Sequence, residues 1–384
     1  MRTVVIEIHS LNKNQINKKD VPYLFSLSKK YGLGRIKPCF GYDIQTCFWT
    51  GANPKESNLF AKYEYHKEFD KFDFIHLFPK KIKTVLFNLR RYINGNDFFT
   101  ALCNHRLAKH FTIARNYHFF HKNAFIKPTM FDILRKNDKK FLYYQWPILA
   151  TNHWFKFKFF PRLDDIGISN AFIGLLGKNK GCDFYFLQLR DLDMYSHKYG
   201  PYSKEAKERQ GRIDSSIKSI LNNFSFEEDN IVLFSYFGMV PVTRVIDLES
   251  KLPKFGEGYV YFLDSTMARF WFFDKRVKKQ VIRALSKSKG GHLLSRKDKI
   301  KYSANFKDNR HFEEIFVLNP GTIINPCFFH EDPIKGAHCY SLNASEEMGI
   351  LISNKPIKKR IGLNSLLPEL LRLMKIKNTN DGKK

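Results

Sequence analysis

The sequence predicts an α/β protein built on a central, mostly parallel sheet with helices on both faces. Three observations carry this expectation. Residues 3–9, Phe184–Leu187 and Ile231–Ser235 are short runs dominated by β-branched or aromatic side chains, the pattern of strands buried on both faces. Between such runs lie helical patterns, clearest from Ser203 to Asn222, where Ala206, Ile213, Ile217, Ile220 and Leu221 share one face. An Asp-x-x-x-His pair, Asp193 and His197, follows the second run, and open α/β sheets keep their chemistry outside the carboxyl ends of their strands.

The first run, residues 3–9, reads as a core strand. Val21–Tyr31 reads as a helix with Gly32 as its stop signal. Residues 44–50 make a short helix or turn leading to Thr50-Gly51. From 66 to 159 the chain carries seven histidines with many Phe and Lys residues, and Ile82–Tyr92 is apolar at helical spacing ahead of Gly95. This stretch is expected to be an inserted cap, with a divergent core segment as the competing reading. The core resumes with the strand at 184–187 and the helix at 203–222, then the strand at 231–235. A smaller insertion is expected at 250–310. It contains Lys287–His292 and the basic run Arg296–Lys301, read as a flexible basic loop or as a phosphate-gripping one. Leu366, Leu367, Leu370, Leu371 and Met374 form one apolar stripe of a last helix. The polar tail, 376–384, is expected to be disordered. The domain reading is therefore one discontinuous core, 1–65 and 160–375, carrying both insertions.

In Leu189-Arg190-Asp191-Leu192-Asp193-Met194-Tyr195-Ser196-His197-Lys198-Tyr199-Gly200-Pro201, a carboxylate and an imidazole four residues apart can grip one divalent ion. The same spacing also suits a solvated loop Asp beside an unrelated His. The segment, with its Asp-x-x-x-His-x-x-Gly-Pro spacing, resembles the phosphodiesterase/nucleotide-pyrophosphatase branch of the alkaline phosphatase superfamily. Further blocks occur in that family's order. Met1–Leu11 resembles an opening strand that ends in Asp-Gly. Thr50-Gly51-Ala52-Asn53-Pro54 resembles the Thr-Gly-x-x-Pro marker. Ile231–Met239 resembles the strand that ends in Ser-Asp-His-Gly-Met. Asp264–Phe272 and Leu318–Gly321 resemble further blocks. Lys335-Gly336-Ala337-His338-Cys339-Tyr340 resembles a late Gly-x-His-Gly-Tyr block.

The resemblance implies an alkaline-phosphatase-like three-layer sandwich with an inserted cap, and two zinc-like ions beside a Thr or Ser nucleophile. One ion takes an Asp and two His side chains, which here are Asp193, His197 and His338. Such a set leaves an open coordination position, as a catalytic ion needs. The second ion's positions here hold His9, Tyr236 and Phe237, and phenylalanine cannot ligate. One divalent ion, zinc or manganese, is therefore expected. The nucleophile position falls on Gly41, leaving Tyr42, Asp43 or Thr46 as replacements, with Thr46 the preferred choice. His9 is a candidate general base or replacement ligand. Arg269, Arg190 or Lys198 could hold a phosphate oxygen.

The chain has 384 residues, 65 Lys and Arg against 37 Asp and Glu, and a formal net charge of +28. This balance suits an anionic phosphorylated substrate, a phosphorylated glycan or another polyanion; abundant Lys, Asn, Ile and Phe also fit a biased base composition. Nucleic acid stays possible, but nothing resembles an RRM, KH or helix-turn-helix motif. No P-loop, dinucleotide fingerprint, zinc-finger spacing or Gly-x-Ser-x-Gly elbow is present. Six scattered cysteines read as reduced thiols. The sequence opens into a strand without an apolar leader and has no run of membrane-span length, so a cytoplasmic protein is expected, free or resting on a membrane surface. Two functions compete. The first is hydrolysis or transfer of a phosphate ester at one retained metal site. The second is a catalytically inactive protein of this fold that binds a phosphorylated glycan, nucleotide or other polyanion.

Overall fold

The computed structural model describes residues 1–66, 82, 107, 110–114, 125–144, 164–179, 181–254, 258–330, 332–341 and 344–376. The expected helix at 82–92 falls outside these residues except for Ile82, and so does the tail from 377 onward.

A seven-stranded sheet forms the centre. Its strands are β1 (Thr3–Ile8), β2 (Gly34–Lys37), β5 (Phe141–Tyr144), β6 (Phe184–Leu189), β7 (Asn230–Phe234), β16 (Gly349–Ser353) and β17 (Arg360–Gly362), in the order β17-β2-β16-β7-β1-β6-β5. β1 pairs in parallel with both β6 and β7, β5 runs parallel to β6, and β17 runs parallel to β2. Only β16 is reversed, pairing antiparallel with β2 and β7. Every residue of β1, β6 and β7 is buried, as their near-continuous apolar sequence requires.

Strand alternation distributes the core between two layers. Val4, Ile6 and Ile8 pack with Leu24, Phe172, Ala206, Ile213 and Ile217, from the helices Pro22–Tyr31, Asp165–Lys178 and Lys204–Leu221. Val5, Phe186 and Phe234 face the other way, onto Phe48, Trp49, Phe131, Leu366 and Leu370, from the helices Ile44–Thr50, Met130–Lys136 and Leu366–Leu373. The result is the expected three-layer α/β/α sandwich. Ring packing is dense on the second side: Trp49 stacks on Phe131 at 4.7 Å and meets Phe186 edge-on at 4.6 Å.

Two stretches differ from the sequence reading. The helix Met130–Lys136 and strand β5 lie within 66–159, yet they belong to the central sandwich. Sequence reasoning missed them because β5 is an edge strand whose half-buried residues, Phe-Leu-Tyr-Tyr, sit among equally aromatic neighbours. The basic stretch near 290 is ordered rather than a flexible loop. Strands β10 (Tyr259–Leu263), β11 (Met267–Phe272), β12 (Gly291–Leu293) and β13 (Glu314–Leu318) form an antiparallel sheet in the order β10-β11-β13-β12. The helix Lys275–Lys287 packs on it through Val281 and Leu285. Arg296–Lys301 is a helix because Ser295 and Asp298 form a reciprocal capping box at its start. Among the described residues no helix is long and apolar enough to cross a membrane.

Candidate metal centre

The parallel strands β1, β6 and β7 deliver their carboxyl ends to one edge of the sheet, and the candidate site is assembled there. β6 runs into the helix Asp191–Tyr199. One helical turn separates residues four apart, so Asp193 and His197 project from the same face. His338 follows a short strand, β15 (Gly336–Ala337), which pairs with β8 (Val240–Pro241). Donor atoms of Asp193, His197 and His338 all lie within 4.8 Å of one another. His197 Nε2 is 3.6 Å and His338 Nε2 3.9 Å from Asp193 Oδ1.

His197 Nδ1 lies 2.8 Å from the carbonyl oxygen of Gly336, and with the proton on Nδ1 its Nε2 is left as a lone-pair donor aimed at Asp193. The Lys335 N–H donates to the carbonyl oxygen of His197 at 2.7 Å, tying the two candidate-bearing segments together. Gly336 is required by this approach, because a Cβ there would stand 2.5 Å from the Ser196 carbonyl oxygen. Asp193 also accepts a hydrogen bond from the Ser10 hydroxyl, and Cys339 Sγ is 2.9 Å from His338 Nδ1.

The electrostatics favour an ionised Asp193 carboxylate beside a neutral His338 ring. Burial alone raises the Asp193 pKa, but His197, His9 and His338 and the Ser10 hydroxyl hold it well below the ordinary carboxylate range. Burial, reinforced by His197, pushes His338 down to about 3, so its ring stays neutral and able to ligate. One carboxylate and two imidazoles form a donor set that suits a divalent ion, and three protein ligands leave a four-coordinate ion one open position.

The positions implied for a second ion also come together, but as an aromatic cluster. His9 meets Tyr236 edge-on at 5.8 Å and Phe237 at 4.8 Å, and Phe237 stacks on His338 at 4.0 Å. His9 Nδ1 lies 2.9 Å from Glu7 Oε1. Burial opposes charge on His9, but Glu7 and Asp193 raise its pKa on balance. The Glu7 Oε2, both amide atoms of Gln188 and the Tyr236 hydroxyl are enclosed without a hydrogen-bond partner.

The remaining candidates are placed differently. Thr46 sits inside the helix Ile44–Thr50 at 3 % exposure, its carbonyl accepting from Thr50 Oγ1 at 2.7 Å. Gly41 has φ +109° and lies against Phe60, where a Cβ would meet ring and carbonyl atoms at 2.7 Å, so no larger residue fits in this conformation. The Tyr42 hydroxyl, its pKa pushed well up by burial, exchanges hydrogen bonds with Thr266. Arg269, expected to grip a phosphate oxygen, is fully buried and saturated. It pairs with Asp264 at 2.8 Å, donates to the Tyr63 carbonyl at 2.7 Å, and lies over the Phe262 ring at 4.5 Å. Lys198 is exposed beside Tyr199. Arg190 is half-buried at the start of the ligand helix, with an enclosed Nε lacking a partner, and its charge reaches His9. Ser10 drew no reading from sequence, and Cys339 read mainly as a replacement for the glycine of the late block, with a softer metal environment beside His338 as the alternative. Their positive φ angles, +67° each, are the structural signal that marks them.

A family model described as type I phosphodiesterase / nucleotide pyrophosphatase matches residues 10–320. No curated protein matches the sequence. Among solved structures, human ectonucleotide pyrophosphatase/phosphodiesterase 5 superposes with a TM-score of 0.70 at 16% identity, covering 99% of this chain and 96% of its own. The murine protein gives a TM-score of 0.69 at 14% identity over 98% and 96%. An inactive variant of the murine protein, in complex with AMP, gives 0.68 at 14% identity over 98% and 96%. At these identities the likeness is one of fold.

Proposed function

Because the chain belongs to the type I phosphodiesterase/nucleotide pyrophosphatase family, we propose that it hydrolyses or transfers a phosphate ester at one metal site. The observation that carries this reading is the cluster of Asp193, His197 and His338, with donor atoms within 4.8 Å. These three residues would hold one divalent ion, zinc or manganese. Such an ion supplies Lewis acidity toward a phosphoryl oxygen and lowers the pKa of bound water. Asp193 brings the negative charge, and His197 and His338 bring imidazole nitrogen donors. Phe237, stacked on His338, excludes water from one side of the site. Arg190 is the cation best placed to meet a phosphate oxygen, since its guanidinium enters no ion pair among the described residues. Thr46 is the proposed nucleophile and His9 the proposed base. Residues of the 66–159 stretch not in the central sandwich are proposed to cap the site. AMP in the murine relative makes nucleotides the first substrate class to try.

The deciding test is metal stoichiometry by elemental analysis after dialysis against zinc or manganese. One ion per chain, lost in Asp193→Ala and His338→Ala, supports the reading, and a screen of nucleotide and aryl phosphodiesters then follows. Absence of bound ion in the wild type sinks it.

A second reading is an inactive polyanion binder, cytoplasmic and resting on anionic membrane surfaces or phosphorylated glycans. The observation favouring it is a stripe of exposed cations, Arg276, Lys279, Arg283 and Lys287, on the helix face opposite Val277, Val281 and Leu285. Lys278 and Lys299 both pair with Glu314, at 3.0 and 2.9 Å, which brings the helix Arg296–Lys301 alongside. Retention on immobilised heparin should fall steeply with salt. Reversing the four stripe cations should weaken it more than reversing Lys29, Lys30, Lys204 and Lys207; equal loss in both variants rules the stripe out.

A further inference from the structure

We propose that Ser10 and Cys339 are positioning residues that hold the metal triad in its ligating arrangement; the inference rests on the one-metal reading above. Both residues have φ +67°. L residues with a Cβ adopt this left-handed conformation uncommonly, Asn and Asp more often than Ser or Cys. Six non-glycine residues among those described have positive φ: Ser10, Asn58, Asp138, Ser303, Cys339 and Lys375. Ser10 and Cys339 are 0 % and 4 % exposed. Glycine would reach the same conformation without strain, and the motifs these segments resemble carry glycine at both positions.

What the two side chains do explains why strain is retained. The Ser10 hydroxyl donates to Asp193 Oδ1, the carboxylate oxygen that also faces both His Nε2 atoms. Cys339 Sγ lies 2.9 Å from His338 Nδ1. With the proton on Nδ1 and sulfur accepting it, the His338 Nε2 lone pair is directed at the site. The left-handed backbone aims each side chain backwards onto a ligand. The Cys339 peptide is itself clamped. Thr266 Oγ1 is 3.1 Å from the His338 carbonyl oxygen and 2.9 Å from that of Cys339, and the Thr266 N–H donates to the Tyr42 hydroxyl at 2.9 Å. Two of the three proposed metal ligands are thus contacted by side chains that stand on left-handed backbone. His197 is held separately, by the Gly336 carbonyl.

The glycine variants separate positioning from tolerance. Ser10→Gly and Cys339→Gly relieve strain, so the chelator-treated proteins should melt at the wild-type temperature or above. Their zinc affinity, measured by competition with a chromophoric chelator, should nonetheless fall by about tenfold or more, the usual effect of removing a group that orients a metal ligand. Cobalt-loaded protein gives a readout independent of activity: its visible absorption should weaken and broaden in both variants. Cys339→Ser should recover part of the affinity by restoring an acceptor. Ser10→Ala keeps the backbone strain without the hydroxyl, and should lose both affinity and stability. If wild type binds zinc and both glycine variants bind it as tightly with unchanged cobalt spectra, the positioning role is overturned. If wild type binds neither ion, the metal reading itself has failed, which is a different result.

Discussion

His197 and Gly336 are joined by a hydrogen bond, and Gly336 also packs against the residue before His197. The imidazole Nδ1 meets the Gly336 carbonyl oxygen at 2.8 Å, and the Gly336 Cα packs so close to the ligand helix that a methyl group would stand 2.5 Å from the Ser196 carbonyl. The contact fixes the ring and the distance between the two ligand segments together. Gly336→Ala is therefore expected to push the His197 helix away from His338. Overpacking of this kind costs about 1–3 kcal/mol, measurable by urea denaturation, and zinc affinity should fall with it. Unchanged affinity in a destabilised variant would separate the packing of Gly336 from its role at the site.

Asp165 and Asp191 cap one another's helices. Asp165 accepts from the backbone N–H groups of Arg190 and Asp191, and Asp191 accepts from that of Asp165. Burial, with repulsion from Asp191, pushes Asp165 up to about 7. The folded chain then keeps a proton that the unfolded chain releases, so stability falls as pH rises from about 4 to about 7 and levels off above. Thermal melting across this range should show the decline in wild type and a flatter profile in Asp165→Asn. Parallel profiles would mean the pair is ionised throughout.

Arg269 and Asp264 form a buried pair with side chains 0 % and 2 % exposed. Removing one partner leaves an uncompensated charge in the core, at a cost of about 3–5 kcal/mol. Arg269→Met should therefore unfold at much lower urea, and the double variant with Asp264→Leu should recover part of the loss. Metal stoichiometry should stay at the wild-type value in whatever remains folded. Loss of metal with retained stability would return Arg269 to the site.

His9, Tyr236 and Phe237 occupy neighbouring positions around one point, as their ring contacts show. The triple variant His9→Asp, Tyr236→Asp, Phe237→His restores ligand chemistry there. Its zinc content should rise by one ion per chain, and its melting temperature should become zinc-dependent by mass action. Truncating two buried aromatics destabilises the apo form, so both readouts belong in zinc-saturated buffer. A stoichiometry equal to wild type would show that the geometry, as well as the ligands, has been lost.

The core was legible in the sequence where local pattern and burial agree. β1, β6 and β7 read as strands because strands covered on both faces must be apolar throughout, and the helix Lys204–Leu221 read as a helix because only one of its faces meets the sheet. Asp193, His197 and His338 were legible as residue types, two of them at a spacing of four. Their convergence followed from the family resemblance and from no local pattern, since Gly336–His338 is brought to the helix by pairing with β8, by the Lys335–His197 hydrogen bond and by the Gly336 carbonyl against His197.

Sequence by itself determined the layered α/β architecture, the candidate ligands and the family, because these follow from local periodicity and ordered motifs. Tertiary structure decided which polar residues meet. Arg269 and Asp193 both read as charged residues near family motifs, yet one is consumed by Asp264 and the other collects Ser10, His197 and His338. Ser10 and Cys339 gained their significance from φ angles that composition does not encode. The Ser10–Asp193 and His338–Asp193 contacts join chain segments more than a hundred residues apart at one sheet edge, and no local pattern carries that information.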